Sequence, residues 1–221
     1  RPLGVLLSGG LDSAALLASA NAASSRPLVA YTASFDDRRF DESAAARETA
    51  AHLRSAQTFV SVGDGVADRL ARMIRTSGDL LADSSVLALG AVAERAAADG
   101  VVVLLTGDGG DEMFLGYDRQ YAAAYGAVKL QAAALLGGVP GFSRSARIAK
   151  AVAAAGLPPR LAYAELASHS NRRVLADFVV ADALLSDDPL FAAYERIPAS
   201  PDVLADLGTL DVLESLPYDL L

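Results

Sequence analysis

The stretch LGVLLSGGLDS, from Leu3 to Ser13, decides the fold of this 221-residue chain. Leu3 to Leu7 is a short apolar run, and it ends in the turn-forming residues Ser8-Gly9-Gly10. An apolar run of this kind, bounded by glycines, is typical of a buried strand followed by a turn. Asp12 to Ala22 is rich in alanine and leucine, so the sequence predicts a helix directly after the turn. This is the strand–turn–helix unit of an α/β protein.

Strand-like and helix-like segments alternate through the first half of the chain. The further predicted strands are Leu28 to Phe35, Gln57 to Val62 and Val101 to Leu105, and the predicted helices are Asp41 to Arg54, Val66 to Ser77 and Ser85 to Ala98. Strands separated by helices predict a parallel sheet. The run at Val101 is continuously β-branched and leucine-rich, which predicts a central strand. From Asp118 onward the patterns are helical and predict no strand.

Composition narrows the classes of function. The net charge of −8 argues against nucleic-acid binding, because that requires a basic face that displaces counterions. The chain contains no cysteine, which excludes disulfides, thiolate–zinc sites and a cysteine nucleophile within it. No apolar run reaches the roughly 18 residues that a membrane span needs. We therefore expect no nucleic-acid or membrane partner and a cytoplasmic location.

Two loops follow predicted strands, where open parallel sheets bind their ligands. The first, which we call the phosphate loop, is Ser8–Ser13. Gly9 and Gly10 have no side chains, so their backbone N–H groups can approach an oxyanion closely. The positive end of the following helix points to the same place, and the serines at both ends of the loop add hydroxyl donors. Asp12 adds negative charge, which is compensated if a magnesium ion lies between it and phosphate groups.

The second loop, which we call the acidic loop, is Thr106–Glu112, directly after the last predicted strand. It places Asp108, Asp111 and Glu112 within five residues, an arrangement that is unfavourable unless a cation compensates the charge. Asp111 is therefore the predicted partner of Asp12 on one magnesium ion. A turn explains the first loop alone, and a solvated loop or a weak calcium-like site explains the second alone. Together, each after a strand, they indicate a functional site.

These loops carry a resemblance to a known family. Ser8–Ser13, SGGLDS, resembles the pyrophosphate-binding motif of the PP-loop ATP pyrophosphatases. Thr106 to Tyr117, TGDGGDEMFLGY, resembles the second signature of the asparagine synthetase branch, and Ser34 to Arg47 resembles the segment after that branch's second strand. The resemblance implies a three-layer α/β/α fold with a parallel sheet, of the adenine nucleotide α hydrolase-like type, and a helical C-terminal extension. We expect residues 1–120 to form the ATP-binding core and residues 121–221 the mostly helical part of the same synthetase domain.

The same resemblance implies the chemistry. ATP would be cleaved between its α- and β-phosphates while a small-molecule carboxylate becomes an acyl-adenylate, which an amine or ammonia then attacks. The implied cofactors are ATP and Mg²⁺. The residues implied to bind ATP and pyrophosphate are Leu7, Ser8, Gly9, Gly10, Leu11, Asp12, Ser13, Ala33, Thr106 and Gly107. The residues implied to bind the metal are Asp12 and Asp111, and those implied to be catalytic are Asp108 and Glu112.

The chain departs from the family pattern in three ways, which are two residues and the absence of the family's glutaminase cysteine from this sequence. Ala14 stands where a second serine is common, and Leu115 where a second glycine is common. Amide-forming members carry an N-terminal glutaminase domain with a cysteine nucleophile, so we expect such a domain upstream in the intact protein. Leu216–Leu221 resembles the run just before a lysine-bearing segment of the family. We therefore expect the synthetase domain to be truncated at its C-terminus.

The sequence leaves three functions open. The first is synthesis of asparagine from aspartate. The second uses the same adenylation for another amine, as in β-lactam synthetases and lasso-peptide macrolactam synthetases, because the two motifs do not choose the acyl acceptor. The third is a nucleotide-binding module without turnover.

Overall fold

A computed structural model of the chain describes residues 1–63, 65–77, 85–126, 150–151, 153–167 and 194–215. The chain divides into two compact units at Asp108, with Arg1–Asp108 in unit 1 and Gly109–Leu220 in unit 2. The predicted boundary at residue 120 stays a prediction. The C-terminal segment Leu216–Leu221, on which the expected truncation was based, lies outside the described residues.

Unit 1 contains a parallel sheet and four helices. Its strands are β1 (Leu3–Leu6), β2 (Val29–Ser34), β3 (Gln57–Ser61) and β4 (Val103–Leu105). Its helices are α1 (Leu11–Ala23), α2 (Ser43–His52), α3 (Val66–Ser77) and α4 (Ser85–Ala98). The strands pair in parallel in the order β3-β2-β1-β4. The predicted alternation of strands and helices and the predicted parallel sheet are confirmed.

Alternating side chains place a layer of helices on each face of the sheet. Val5 and Leu7 point to one face, where they pack in a buried cluster with residues of α1 and α2. Tyr31 points to the other face and packs with Val92 and Ala96 of α4. This period of two is the one that a strand buried on both faces requires. The arrangement is a three-layer α/β/α fold, as the sequence predicts.

Strand β4 does not take the central place that its composition predicts. It is the outermost of the four described strands and pairs with β1. Val102 and Val103 are 59% and 42% exposed, and both of their N–H groups donate to the Pro2 carbonyl oxygen, at 3.0 and 3.3 Å. The prediction of a central strand is wrong within this sheet. An apolar run indicates apolar faces, whereas the order of strands depends on which way the chain crosses over.

The described part of unit 2 is helical and contains no strand, in agreement with the pattern after Asp118. Its helices are α5 (Gly110–Phe114), α6 (Asp118–Tyr125), α7 (Pro159–Ala167) and α8 (Val203–Leu210), and α8 continues into a π-helical turn, Asp211–Ser215. Asp202 caps α8, because its Oδ1 accepts the backbone N–H groups of Leu204 and Ala205. The unit has its own buried core, to which Tyr163 and Leu207 belong.

Candidate functional site

The phosphate loop lies at the topological switch point of the sheet, where the order of the strands reverses. The loop connects β1 to α1, and β2 and β3 lie to one side of β1 while β4 lies to the other. In open parallel sheets, ligands bind in the crevice beyond the carboxyl ends of the strands at such a switch point. The strand order, which the sequence does not reveal, therefore places the phosphate loop where a ligand is expected.

The two serines of the phosphate loop hold the loop in shape. The Ser13 Oγ accepts the Ser8 backbone N–H at 3.1 Å and lies 2.9 Å from the Ser8 Oγ. The Ser8 Oγ in turn accepts the Gly10 N–H at 3.1 Å. Ser13 is buried and Ser8 is exposed. Their predicted role as donors to phosphate stays a prediction, and their observed role is to close the turn between strand and helix.

Gly9 contacts a carboxylate of the chain itself. Its backbone N–H donates to the Glu42 Oε2 at 2.9 Å, so a carboxylate oxygen lies where the prediction places a phosphate oxygen. Glu42 precedes the first residue of α2 and is exposed. The residues of the loop thus fit an anionic ligand such as the phosphates of ATP. Sequence reasoning did not identify this contact, although Glu42 lies within the segment Ser34–Arg47 that resembles the family.

The beginning of the acidic loop lies directly against the phosphate loop. A Cβ atom added to Gly107 would lie 3.0 Å from the Ser13 backbone N and 3.3 Å from the Asp12 Cβ. A side chain at residue 107 would therefore be tightly crowded by the backbone of the phosphate loop, and glycine relieves this crowding. Thr106 and Gly107 are half-buried and Asp108 is exposed. The structure brings together these two stretches of predicted site residues in unit 1.

The remaining residues predicted to bind ATP differ in exposure. Leu7 is buried, its N–H donates to the Tyr31 carbonyl oxygen and its own carbonyl oxygen accepts the Thr32 hydroxyl, both at 2.8 Å. Ala33 is half-buried beside the Tyr31 cluster. Leu11 is 83% exposed. The roles of Leu7, Leu11 and Ala33 in ATP binding stay predictions.

In unit 2 the acidic loop continues into a short helix that has a left-handed residue at each end. Gly109, which precedes α5, has φ of 91°, and Leu115, which follows it, has φ of 61°. Both values are in the left-handed region that glycine adopts most easily, so Leu115 holds a conformation that is unfavourable for its side chain. A Cβ atom added to Gly116 would overlap the Asp111 carboxylate. Gly116 therefore allows Asp111 its observed position.

Glu112, predicted to be catalytic, is buried and accepts the Tyr117 hydroxyl at 2.5 Å. Burial, together with the Glu112 carboxylate, raises the pKa of Tyr117 well above its ordinary value. Tyr117 is therefore a neutral hydrogen-bond donor to Glu112. The guanidinium group of Arg119 stacks on the Tyr117 ring at 3.5 Å. This pair was not predicted from the sequence.

A fully buried carboxylate, Asp211, lies at the start of the π-helical turn. Its Oδ2 accepts the Gln120 Nε2–H at 2.7 Å, and its Oδ1 accepts the Tyr163 hydroxyl and, at 3.5 Å, the Arg119 Nη2–H. Arg119 also donates its Nε–H to the Tyr163 oxygen at 2.9 Å. We call these four residues the Asp211 cluster. No sequence motif identifies it, because its members come from helices far apart in the chain.

The magnesium site stays a prediction. Asp12 belongs to unit 1 and Asp111 to unit 2. Within the described ranges, no three or more histidine, aspartate or glutamate side chains form a group that could hold a metal ion. A site with two carboxylates, in which phosphates and water supply the other ligands, does not require such a group.

The fold and the loop define a class, the parallel α/β proteins that bind ligands at a switch point. The family model described as asparagine synthase matches residues 1–221, so the chain belongs to the asparagine synthase family. Membership supports ATP-dependent amide-bond formation in general and a ligase type of enzyme. Among the helices that the structure describes, none has the length and apolar character needed to cross a bilayer.

A similarity to a curated protein covers part of the chain. The amidase chyE of Penicillium rubens is 33% identical over 132 residues, which correspond to 53% of this chain and 20% of that relative. The matched region thus spans about a fifth of the relative's length.

Proposed function

We propose that this protein activates a carboxylate with ATP as an acyl-adenylate and transfers the acyl group to an amine or ammonia. The observation that carries the proposal is the Gly9 N–H, which donates to the Glu42 carboxylate at the switch point of a parallel sheet. Membership of the asparagine synthase family supports the same reading. Neither observation alone selects the acyl acceptor.

The reaction has two steps. A carboxylate oxygen attacks the α-phosphorus of ATP and pyrophosphate leaves; the amine nitrogen then attacks the acyl carbon, loses a proton, and AMP leaves. Backbone N–H groups of the phosphate loop stabilise the charge on the leaving phosphates. Asp12 and Asp111 would hold Mg²⁺, which neutralises phosphate charge when it is bound. To Asp108 and Glu112 we assign the chemistry at the acyl group and the amine, as the family resemblance implies.

For the substrate we propose aspartate, which would yield asparagine with ammonia from an upstream glutaminase domain in a cytoplasmic enzyme. A second candidate is the same adenylation with another amine, as in β-lactam or macrolactam formation. The second candidate is supported by the similarity to a protein named as an amidase. That name refers to chemistry at an amide bond and does not mention asparagine.

The test is product analysis of the full chain incubated with ATP, Mg²⁺, aspartate and ammonia. We expect asparagine, AMP and pyrophosphate in equal amounts. No asparagine, with pyrophosphate formed only when another carboxylate is supplied, would support the second candidate. ATP binding without pyrophosphate from any carboxylate would leave only a nucleotide-binding module.

Two ATP analogues provide the matched control. An analogue with a methylene group between the β- and γ-phosphates should still support the reaction, because the bond that breaks lies between α and β. An analogue with the methylene group between α and β should not. The opposite pattern would show cleavage at the γ-phosphate and contradict adenylation.

A further inference from the structure

A short hydrogen bond from a neutral donor holds the Glu112 carboxylate. Glu112 is 5% exposed, and its Oε1 lies 2.5 Å from the Tyr117 hydroxyl. Hydrogen bonds to charged carboxylates are stronger and shorter than neutral ones. The bond crosses the left-handed turn at Leu115 that ends α5. A side chain outside the helix thus restricts the rotation of a carboxylate within it.

Tyr117 is itself held from two directions. The Arg119 guanidinium group covers one face of its ring at 3.5 Å, a contact that combines stacking with cation–π attraction. The Tyr117 backbone N–H donates to the Gln120 Oε1 at 3.2 Å. Both ring and backbone are therefore restrained, and the hydroxyl has little freedom to leave Glu112.

Both restraints lead to Asp211. Gln120 bonds Asp211 directly at 2.7 Å, and Arg119 reaches it at 3.5 Å and through the Tyr163 hydroxyl. The helix before Asp211 packs closely on α5, because a Cβ atom added to Gly208 would lie 3.4 Å from the Glu112 carbonyl oxygen. A buried and hydrogen-bonded anchor thus fixes the position of Tyr117 relative to Glu112.

We propose that Tyr117 is a positioning residue, whose hydroxyl holds the Glu112 carboxylate in the orientation required for amide formation. The proposal rests on the proposed function, in which Glu112 acts at the acyl group and the amine. In the proposed function, the phosphate loop binds ATP. Loss of the Tyr117 hydroxyl should therefore lower the rate of turnover and leave the affinity for ATP unchanged.

The test compares the wild type, Tyr117→Phe, Glu112→Gln and the double variant in kcat and KM for ATP. Phenylalanine keeps the ring under Arg119 and removes only the hydroxyl. We expect Tyr117→Phe to lower kcat about tenfold, the effect of one hydrogen bond to a charged group, with KM for ATP unchanged. If Tyr117 acts through Glu112, the double variant should be no slower than Glu112→Gln alone.

Tyr121→Phe is the matched control, because Tyr121 lies on α6 and its side chain is 46% exposed; its kcat should equal that of the wild type. Additive losses in the double variant, or a rise in KM for ATP without a fall in kcat, would overturn the proposal. So would an unchanged kcat in Tyr117→Phe.

Urea unfolding of the same four proteins separates this proposal from the proposed function. If the wild type forms no pyrophosphate, the proposed function fails, and the pairing is then judged by stability alone. Non-additive shifts of the unfolding midpoint would support the pairing of Tyr117 with Glu112. Additive shifts would overturn it whether or not the protein turns over.

Discussion

The phosphate loop and the Asp211 cluster are both built from hydrogen bonds, but their partners lie at very different distances along the chain. Ser8 and Ser13 are five residues apart, and the contacts that close the loop are local. Arg119 and Tyr163 are 44 residues apart, and Gln120 and Asp211 are 91 apart. The loop is largely exposed, whereas Asp211 is fully buried.

This difference has a physical consequence. Exposed groups in the loop exchange protein partners for water or ligand at little cost, which suits a binding site. Buried groups in the Asp211 cluster have no such replacement, and an unpaired charge or donor there is strongly unfavourable. We therefore expect variants of the cluster to act on stability and variants of the loops to act on ligand binding.

The largest effect should follow removal of the buried carboxylate. Asp211→Ala leaves the Tyr163 hydroxyl, the Gln120 amide and Arg119 without their acceptor, so the free energy of unfolding should fall by about 3–5 kcal/mol. Urea unfolding measures it. Asp37→Ala, which breaks the exposed pair with Arg39, is the control and should leave stability unchanged. Equal losses in both would contradict the comparison.

Gly116→Ala should affect activity most strongly. The added methyl group would overlap the Asp111 carboxylate and lie 3.0 Å from the Asp111 Cα, so Asp111 must move. A displacement of about 1 Å costs on the order of a hundredfold in rate, which carboxylate-dependent pyrophosphate formation would detect. Gly63→Ala is the control, because its added Cβ atom would lie at an ordinary 3.5 Å from Asp36. Full activity of Gly116→Ala would mean that the position of Asp111 does not matter.

Asp111→Asn tests the metal role directly. It should weaken ATP binding at least about tenfold when magnesium is present, as disturbed metal-ligand shells do, and leave binding unchanged with a chelator. Calorimetry with and without Mg²⁺ measures both. Asp118→Asn, an exposed residue in the first turn of α6, should change neither. Equal weakening in both conditions would contradict metal coordination.

The ion pair between the half-buried Arg160 and the buried Asp206 in unit 2 should make stability depend on pH. Two hydrogen bonds from Arg160, at 2.5 and 2.6 Å, hold the pKa of Asp206 below its usual 3.8. Because the folded pKa is depressed, the stabilisation is complete above the unfolded value and is lost as pH falls through the folded pKa. The free energy of unfolding should therefore drop below about pH 4. The Asp206→Asn variant should lack this pH-dependent stabilisation. If the free energy of unfolding fell equally with pH in the wild type and the variant, the assignment to Asp206 would be wrong.

The smallest effect should come from Glu42→Gln. Glutamine can still accept the Gly9 N–H, but it removes a negative charge from the place where phosphate is expected. ATP should bind about threefold tighter at low ionic strength, and the gain should shrink in salt. Glu48→Gln, a change at an exposed residue of α2, the helix that follows Glu42, is the control for net charge. Weaker binding would instead mean that Glu42 stabilises the loop for its ligand.

Much of the fold could be predicted from the sequence because its signals are local. The apolar run at Leu3, the glycines after it and the alanine-rich helix predict their own conformations without reference to the rest of the chain. The limits of α3 and α4 agree with prediction. The acidic loop could be recognised for the same reason, since its acids and glycines are contiguous.

The sequence by itself determined the strand–turn–helix unit, the parallel sheet and the family resemblance. Two loops carry that resemblance, and each of them is a continuous stretch of sequence. Only the tertiary structure decided that β4 lies at the edge of the described sheet, that Glu42 reaches Gly9, and that Asp211 anchors Tyr117. The reason is that hydrogen bonds between distant segments depend on how helices pack, and packing leaves no periodic pattern in the residues that form them.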